Sequence, residues 1–375
     1  MEDKEFRTPG QLIESLIKER GWNNRVLATV LEVDETGISR IIANKKAVTP
    51  EVAIALEEVF GVAADRFIAL QRDLDLKQAR LVVRPNPTRA ARAQMFAFLP
   101  IAEMMKRGWL RVDDPRDIYG VEKAVTEFFG ASTLNEVAIM PHAAKRTDVM
   151  SGEVSPLQLA WLYRVKQIAT GLLCAPYSRG ETLAALPRLK KLLSAPQEAR
   201  HVPRILSECG IRFLAVEGLR ASKIDGVCLW LDQRSPVIAM TMRFDRMDNF
   251  WFVLRHELEH VIQGHGMATP KLDIELGETE TLDDEEKVAN AAAASFCVPQ
   301  ARIDSFIARK APLFAERDFL GLAKILDVHP SLVAGQIQFK TGRFDLFRSH
   351  IEKIREHVLP GMIVDGWGDV PPLNQ

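Results

Sequence analysis

The stretch FWFVLRHELEHVIQGHG, residues 250–266, places two histidines four positions apart in an otherwise apolar run. In an α-helix, residues i and i+4 lie on one face, so His256 and His260 can present both imidazoles to one metal ion. Glu257, one position further on, can act as a general base beside that ion. Zinc suits imidazole and carboxylate ligands, and it lowers the pKa of bound water to about 7. The spacing therefore predicts a zinc-dependent hydrolase with Glu257 as its catalytic residue.

The same spacing can arise by chance in a buried helix, since motif matches carry false positives. The apolar surroundings favour the metal site, because buried imidazoles need partners and a metal supplies one to both. Spacing leaves the third ligand open: His265 lies past the helix end predicted at Gly264, and residues 283–286 offer four carboxylates. Asp248 or Asn249 is expected to cap the start of this helix.

A small sheet and a second helix are predicted to position these side chains. Three short β-branched and aromatic runs, residues 211–216, 226–232 and 236–242, precede the metal helix and predict two or three strands. The run PVIAMTM, residues 236–242, is the candidate sheet edge for holding a peptide substrate as an added strand. An acidic segment, residues 270–286, is predicted to be a loop, and the helix that follows it ends at Pro299.

The second helix carries the pattern E-x-x-A-N-x-x-A-A followed by proline, which resembles the ImmA/IrrE family of metallopeptidases. The matching residues are Glu286, Ala289, Asn290, Ala293, Ala294 and Pro299. The resemblance covers residues 203–346 and departs from the family pattern at Glu259, Cys297 and Val298. It implies a zincin-like fold in which Glu286 is the third metal ligand and Asn290 supports the ligands or packs behind them. Members of this family cleave repressor proteins in response to stress or phage signals.

Near the amino terminus, residues 24–41 have the apolar spacing of two short helices that cross at a tight turn. Small Ala28 lies where the second helix must approach closely, and Glu32 stands in the turn where glycine is common. This helix-turn-helix pattern places its second helix in the DNA major groove. The apolar positions of the pattern are Leu27, Leu31, Val33, Ile38 and Ile41. The positions expected to contact bases or phosphates are Arg25, Glu35, Thr36, Ser39, Arg40, Asn44, Lys45 and Lys46. A helical hairpin for protein contacts is the alternative.

The run SRIIANKKAVTPEVA, residues 39–53, resembles the XRE-type helix-turn-helix of HigA-like antitoxins. The matching residues are Ser39, Arg40, Ile41, Asn44, Lys45, Thr49, Pro50, Glu51 and Ala53. The resemblance covers roughly the first 75 residues and implies a homodimer that binds double-stranded operator DNA.

Length and composition bound the remaining possibilities. A chain of 375 residues with 47% hydrophobic and 26% charged residues is typical of a globular protein with two or three domains. The net charge of −1 excludes a protein that coats nucleic acid by bulk electrostatics. Four widely spaced cysteines, together with the lack of a signal peptide or a long apolar run, predict a reduced cytoplasmic protein without a membrane segment.

The expected fold class is mainly α with a small β-sheet (α+β). The expected domains are a helix-turn-helix domain at 1–76, a helical connecting region at 77–202 and a metallopeptidase domain at 203–375. The resulting hypothesis is a DNA-binding regulator that carries a zinc-dependent endopeptidase, which cleaves a protein partner or the chain itself. The alternative is a HigA-like antitoxin that neutralises a cognate toxin by binding, with a metal domain that does not catalyse.

Overall fold

The chain folds into two compact units, residues 1–87 and 88–375. The computed structural model describes residues 6–83, 88–134, 136–137, 154–267, 270–274 and 284–369. The predicted class is confirmed, since many helices accompany one small sheet. Within the described ranges, none of the helices combines the length and the apolar character needed to span a membrane.

The first unit is helical throughout its described part. Its helices are α1 (Pro9–Glu19), α2 (Asn24–Val30), α3 (Glu35–Ile42), α4 (Pro50–Phe60) and α5 (Ala64–Val82). Side chains of Thr8, Asn23, Asp34 and Thr49 each accept a hydrogen bond from a backbone N–H of the first turn, and so begin the first four helices. Pro50 follows the Thr49 cap at the position where proline is best tolerated, which accounts for the Thr-Pro-Glu run.

The turn between α2 and α3 forms as the apolar spacing predicts, with one exception. Ala28 is 3% exposed and lies in the core of the unit. Glu32 adopts a left-handed φ of 54°, the conformation for which such turns commonly use glycine. The expectation for Val33 is wrong: its side chain is 46% exposed, because it lies in the turn and on the inner face of neither helix.

The second unit begins with helices that precede its sheet. These are α6 (Thr88–Phe98), α7 (Ile101–Lys106), α8 (Ile118–Phe129), α9 (Pro156–Thr170), α10 (Arg179–Lys191) and α11 (Val202–Glu208), with 3₁₀ turns at Leu192–Ser194 and Pro196–His201. The later helices are α12 (Met247–Gln263), α13 (Asp284–Cys297), α14 (Gln300–Lys310), α15 (Glu316–Leu326), α16 (Pro330–Thr341) and α17 (Arg355–Val358), with 3₁₀ turns at Arg348–His350 and Leu359–Gly361.

Over the described ranges, the sheet has five strands in the order β4-β2-β3-β1-β5. The strands are β1 (Arg212–Val216), β2 (Ile224–Trp230), β3 (Pro236–Met240), β4 (Lys271–Ile274) and β5 (Ile363–Asp365). β1 is parallel to β3 and β5, whereas β2 is antiparallel to β3 and β4. Two expectations are therefore wrong. The run 236–242 is not a sheet edge, because β3 is paired on both sides, and the segment predicted as an acidic loop contains the edge strand β4.

The sheet separates two apolar cores, because successive side chains of a strand point to opposite faces. Along β1, Phe213 and Ala215 face the core that contains α12, while Leu214 and Val216 face α8 and α9. The Trp161 indole N–H donates to the Val216 carbonyl at 2.9 Å, which ties α9 to the sheet. Helices from the predicted connecting region thus cover the far face of the sheet and share its core.

Candidate metal centre and nucleic-acid interface

Helix α12 carries His256, Glu257 and His260, and all three side chains are 0% exposed. Apolar residues bury the helix against the sheet and α13; they are Phe250, Trp251, Val253, Leu254, Leu258, Val261 and Ile262. A single turn of this helix therefore brings three polar groups into an otherwise apolar interior.

The prediction for the end of α12 is confirmed, whereas the prediction for its start is wrong. Gly264 terminates the helix as predicted, with a left-handed φ of 75° that suits glycine. The predicted cap by Asp248 or Asn249 is wrong: Arg246 occupies the cap position, and Asp248 lies in the first turn. The Asp248 carboxylate is instead paired with the Arg246 guanidinium at 2.8 Å.

The side chains of His256, His260 and Glu286 converge on one point. The Nε2 atoms of the two histidines are 3.0 Å apart. Glu286, near the start of α13, places Oε2 3.2 Å from His256 Nε2 and Oε1 3.4 Å from His260 Nε2. Tetrahedral zinc with bonds of about 2.0–2.1 Å would separate its ligand atoms by about 3.3 Å. The observed distances match that spacing.

Of the other carboxylates considered for the third ligand, the two that the structure describes pair with lysines instead. Asp283 lies outside the described residues. Asp284 is exposed and paired with Lys287 at 2.9 Å. Glu285 is paired with Lys271 at 2.6 Å and lies 3.7 Å from His265 Nε2.

Neighbouring side chains orient both imidazoles. His256 Nδ1 lies 3.1 Å from the Asn290 amide oxygen, which can only accept, so the ring hydrogen belongs on Nδ1. His260 Nδ1 lies 3.0 Å from His265 Nδ1. Because His265 Nε2 faces Glu285, its Nδ1 is the acceptor and His260 is the donor. In these tautomers both Nε2 lone pairs point into the cluster, as metal ligation requires.

Asp273 is a fourth member of the cluster, which the sequence reasoning missed. Its Oδ2 lies 3.1 Å from His256 Nε2, and its side chain is 5% exposed. One ligand atom from each of His256, His260, Asp273 and Glu286 can be chosen so that all lie within 4.8 Å of one another. The only sequence signal was the short run KLDI, whose apolar residues flank the aspartate within an acidic segment.

Glu257 lies beside the cluster at a point where the sheet has no side chain. A Cβ added to Gly226 of β2 would lie 2.2 Å from Glu257 Oε1, so glycine there leaves room for the carboxyl group. Both Glu257 oxygens are buried and lack a hydrogen-bond donor among the described residues. Burial, reinforced by the Asp273 charge, raises the pKa of Glu257 well above its ordinary value.

The charges of the cluster shift the pKa values of its other members. Burial lowers the pKa of His256, but Asp273 and Glu286 outweigh burial and raise it to about 10. Burial acts to raise the pKa of Glu286, but its hydrogen bonds with His256 and His260 outweigh burial and lower it. The acceptor atoms of this cluster therefore attract a cation strongly, and either a proton or a metal ion can bind among them.

The donor set fits a resident metal ion. No hydrogen-bond donor among the described residues reaches the buried Asp273 Oδ2 or either Glu257 oxygen, and two imidazole lone pairs face the same point. Imidazole and carboxylate ligands at tetrahedral spacing suit zinc.

The residues predicted to contact DNA lie on and around α3. Six are exposed, namely Arg25, Glu35, Thr36, Arg40, Lys45 and Lys46, and two are half-buried, Ser39 and Asn44. The half-buried pair has intramolecular contacts: Asn24 donates to Ser39 Oγ at 3.3 Å, and Gly10 N–H donates to Asn44 Oδ1 at 3.3 Å. These contacts position α3 against α2 and α1, so the two side chains have a structural role whether or not they also contact DNA.

Comparisons with known proteins match the first unit, which contains α2 and α3. Residues 13–67 match the helix-turn-helix family, and the match includes both α2 and α3. Over 75 residues the chain is 32% identical to the uncharacterized HTH-type transcriptional regulator YddM of Escherichia coli (strain K12). That alignment spans 20% of this chain and 80% of the relative.

Proposed function

The chain belongs to the helix-turn-helix family of transcriptional regulators, and we propose that it binds operator DNA and that its larger unit is a zinc-dependent endopeptidase. The peptidase proposal depends on one observation. His256 Nε2, His260 Nε2 and the Glu286 carboxylate converge at tetrahedral spacing beside the buried carboxyl group of Glu257. The resemblance of both metal-site helices to the ImmA/IrrE family supports the same reading.

The residues of the cluster have separable roles in peptide hydrolysis. His256, His260 and Glu286 would hold the metal, while Asn290 and His265 fix the two imidazoles through their Nδ1 atoms. Bound zinc supplies a Lewis acid and a nucleophilic water near neutral pH. Glu257 accepts the proton of the attacking water and passes it to the leaving amine.

The substrate we propose is an extended segment of a protein. β4 is the sheet edge next to the metal centre, and an extended peptide can add to such an edge through main-chain hydrogen bonds. The target is a partner protein, a toxin or another segment of this chain. Operator binding, through a homodimer as in the resembled family, would place this activity at a promoter.

Zinc content tests the metal centre directly. Purified wild-type protein is expected to hold about one zinc per chain, as a single ligand set implies. Glu286→Ala is expected to weaken zinc affinity by at least about tenfold, since even supporting residues of metal sites contribute that much. Elemental mass spectrometry after equilibration with a zinc chelator measures both.

Asp284→Ala is the matched control for this experiment, because it removes a neighbouring carboxylate of α13 that is exposed and pairs with Lys287 instead of facing the two Nε2 atoms. It should retain wild-type zinc. Equal zinc affinity in Glu286→Ala and wild type would contradict the assigned ligand set.

The variant Arg40→Ala tests whether the exposed face of α3 contacts DNA bases. An arginine that contacts a guanine edge contributes about 1–3 kcal/mol of discrimination, so binding should weaken and tolerate base changes at one operator position. Fluorescence anisotropy with DNA from the upstream region of the gene measures this. Arg72→Ala removes an exposed arginine from α5, outside the predicted surface, and should bind like wild type. Equal losses in both variants would mean that Arg40 contributes only net charge.

One observation favours a second candidate function. Asp273 brings the number of protein ligands available to four, which is the number found in structural zinc sites. On that reading the chain is a HigA-like antitoxin that represses its operon and neutralises a cognate toxin by binding. The metal would then stabilise the second unit.

A further inference from the structure

The position of Asp273 has no counterpart in the three-ligand site derived from the sequence. Asp273 lies in β4, directly opposite Gly226 of β2 in the antiparallel ladder. Since Gly226 has no side chain, the Glu257 carboxyl group occupies the space over it, and the Asp273 carboxylate interacts with that group. The Asp273 carboxylate is therefore close both to the general base and to the ligand atom of His256.

The position of Asp273 affects how many ligands the protein can offer to a metal ion. Catalytic zinc sites combine three protein ligands with one open position, whereas four protein ligands close a site. Asp273 Oδ2 is as near to His256 Nε2, at 3.1 Å, as the Glu286 carboxylate is, at 3.2 Å. An aspartate at that distance can supply the fourth ligand and so leave no open position for a water molecule.

We propose that Asp273 is a fourth metal ligand that closes the site in this conformation, so that the peptidase is held inactive until β4 withdraws its carboxylate. This inference rests on the proposed metal centre and adds a means of regulating it. A peptide that pairs with the exposed edge of β4 and displaces Asp273 would open the position for catalysis.

The other ligands are held more firmly than Asp273. His256 lies in the middle of α12 and His260 in its last turn, and Glu286 lies in α13, which packs along α12. Within the part of the chain that the structure describes, β4 is four residues long and pairs with one neighbour, β2, through a ladder that is interrupted by a register shift between Ile224 and Gly226. The Lys271–Glu285 ion pair is a further contact between β4 and α13. Of the four ligands, Asp273 is therefore the one whose backbone can move at least cost.

The test uses the full chain loaded with cobalt(II), whose visible absorption depends on the number and geometry of its ligands. Azide, a small anion that binds to open metal positions, is the probe. The wild-type spectrum is expected to resist azide, whereas the Asp273→Asn spectrum is expected to change. Zinc affinity, measured by chelator competition, is expected to be at least about tenfold weaker in Asp273→Asn.

Asp284→Asn is the matched control, because it removes an exposed negative charge from the start of α13, where Asp284 pairs with Lys287, but no ligand. It should behave like wild type in both measurements. A wild-type spectrum that azide changes readily would overturn the proposal, and this measurement requires no variant to fold. Unchanged zinc affinity in Asp273→Asn would also overturn it.

The outcomes separate this inference from the function on which it rests. A wild-type chain that takes up neither zinc nor cobalt overturns both. A wild-type site closed to azide, with an opened Asp273→Asn site that cleaves no peptide, supports the closed site and overturns the peptidase. An Asp273→Asn protein that cleaves peptides faster than wild type supports both.

Discussion

Replacing Glu257 with glutamine is expected to lower peptide cleavage by about 10²–10⁴-fold, the usual contribution of a general acid–base group. Glutamine has the same shape but cannot carry a proton between water and the leaving amine. The zinc content should remain at the wild-type level, because Glu257 is not among the four ligand residues. The variant should also fold, since its amide can donate to the buried Asp273 carboxylate beside it. Cleavage is measured on peptides from candidate partner proteins by mass spectrometry, with zinc content determined on the same samples.

Glu259→Gln is the matched control for this change. Glu259 is also a buried glutamate of α12, but it pairs with Arg255 at 2.7 Å and Gln263 at 2.7 Å, away from the metal ligands. Its replacement should cost some stability and leave the rate constant per folded, zinc-loaded molecule unchanged. Cleavage by Glu257→Gln at the wild-type rate would show that Glu257 is not the base. If Glu257→Gln left repression and toxin neutralisation unaffected, and the wild-type protein cleaved no peptide, the proposed antitoxin function would replace the proposed peptidase function.

Gly226→Ala is expected to destabilise the second unit by about 1–3 kcal/mol, the usual cost of overpacking a core, and to reduce cleavage as well. The added Cβ would lie 2.2 Å from Glu257 Oε1 and 3.0 Å from Val253 Cγ1. Glu257 is 0% exposed, so its carboxyl group cannot move into solvent to make room. Displacing it within the core alters both packing and the position of the base. Urea unfolding followed by circular dichroism gives the stability change.

Gly321→Ala is the matched control, since among the described residues no atom beyond its chain neighbours and its own helix backbone lies within 4 Å of the Cβ it would add. This glycine lies inside α15, where alanine is expected to stabilise by about 0.5–1 kcal/mol. A Gly226→Ala protein with a wild-type unfolding midpoint and wild-type cleavage would show that Glu257 is not held where the structure places it.

Local spacing was sufficient to predict the parts of the site that lie within single helices. His256 and His260 share a face because the helical repeat places residues i and i+4 together, and Gly264 ends the helix because it tolerates a left-handed φ. The helix-turn-helix follows from similar short-range rules, including the caps at Asp34 and Thr49. Glu286 is different: spacing left it among several carboxylates, and only a family resemblance singled it out.

Strand pairing decided what the sequence could not. The alternation of side chains along a sequence predicts a strand but not which strands pair with it. The sequence therefore suggested β3 as a sheet edge, although β3 lies between β2 and β1. β4 has four residues, too few for a clear alternating pattern, and its pairing with β2 brings Asp273 to the histidines. The sequence of the helices before β1 did not predict that they cover the far face of the sheet, because this packing depends on contacts between residues far apart in the chain. The amino-acid sequence by itself determined the helices and the chemistry they carry, whereas contacts between distant segments decided which carboxylate completes the metal centre.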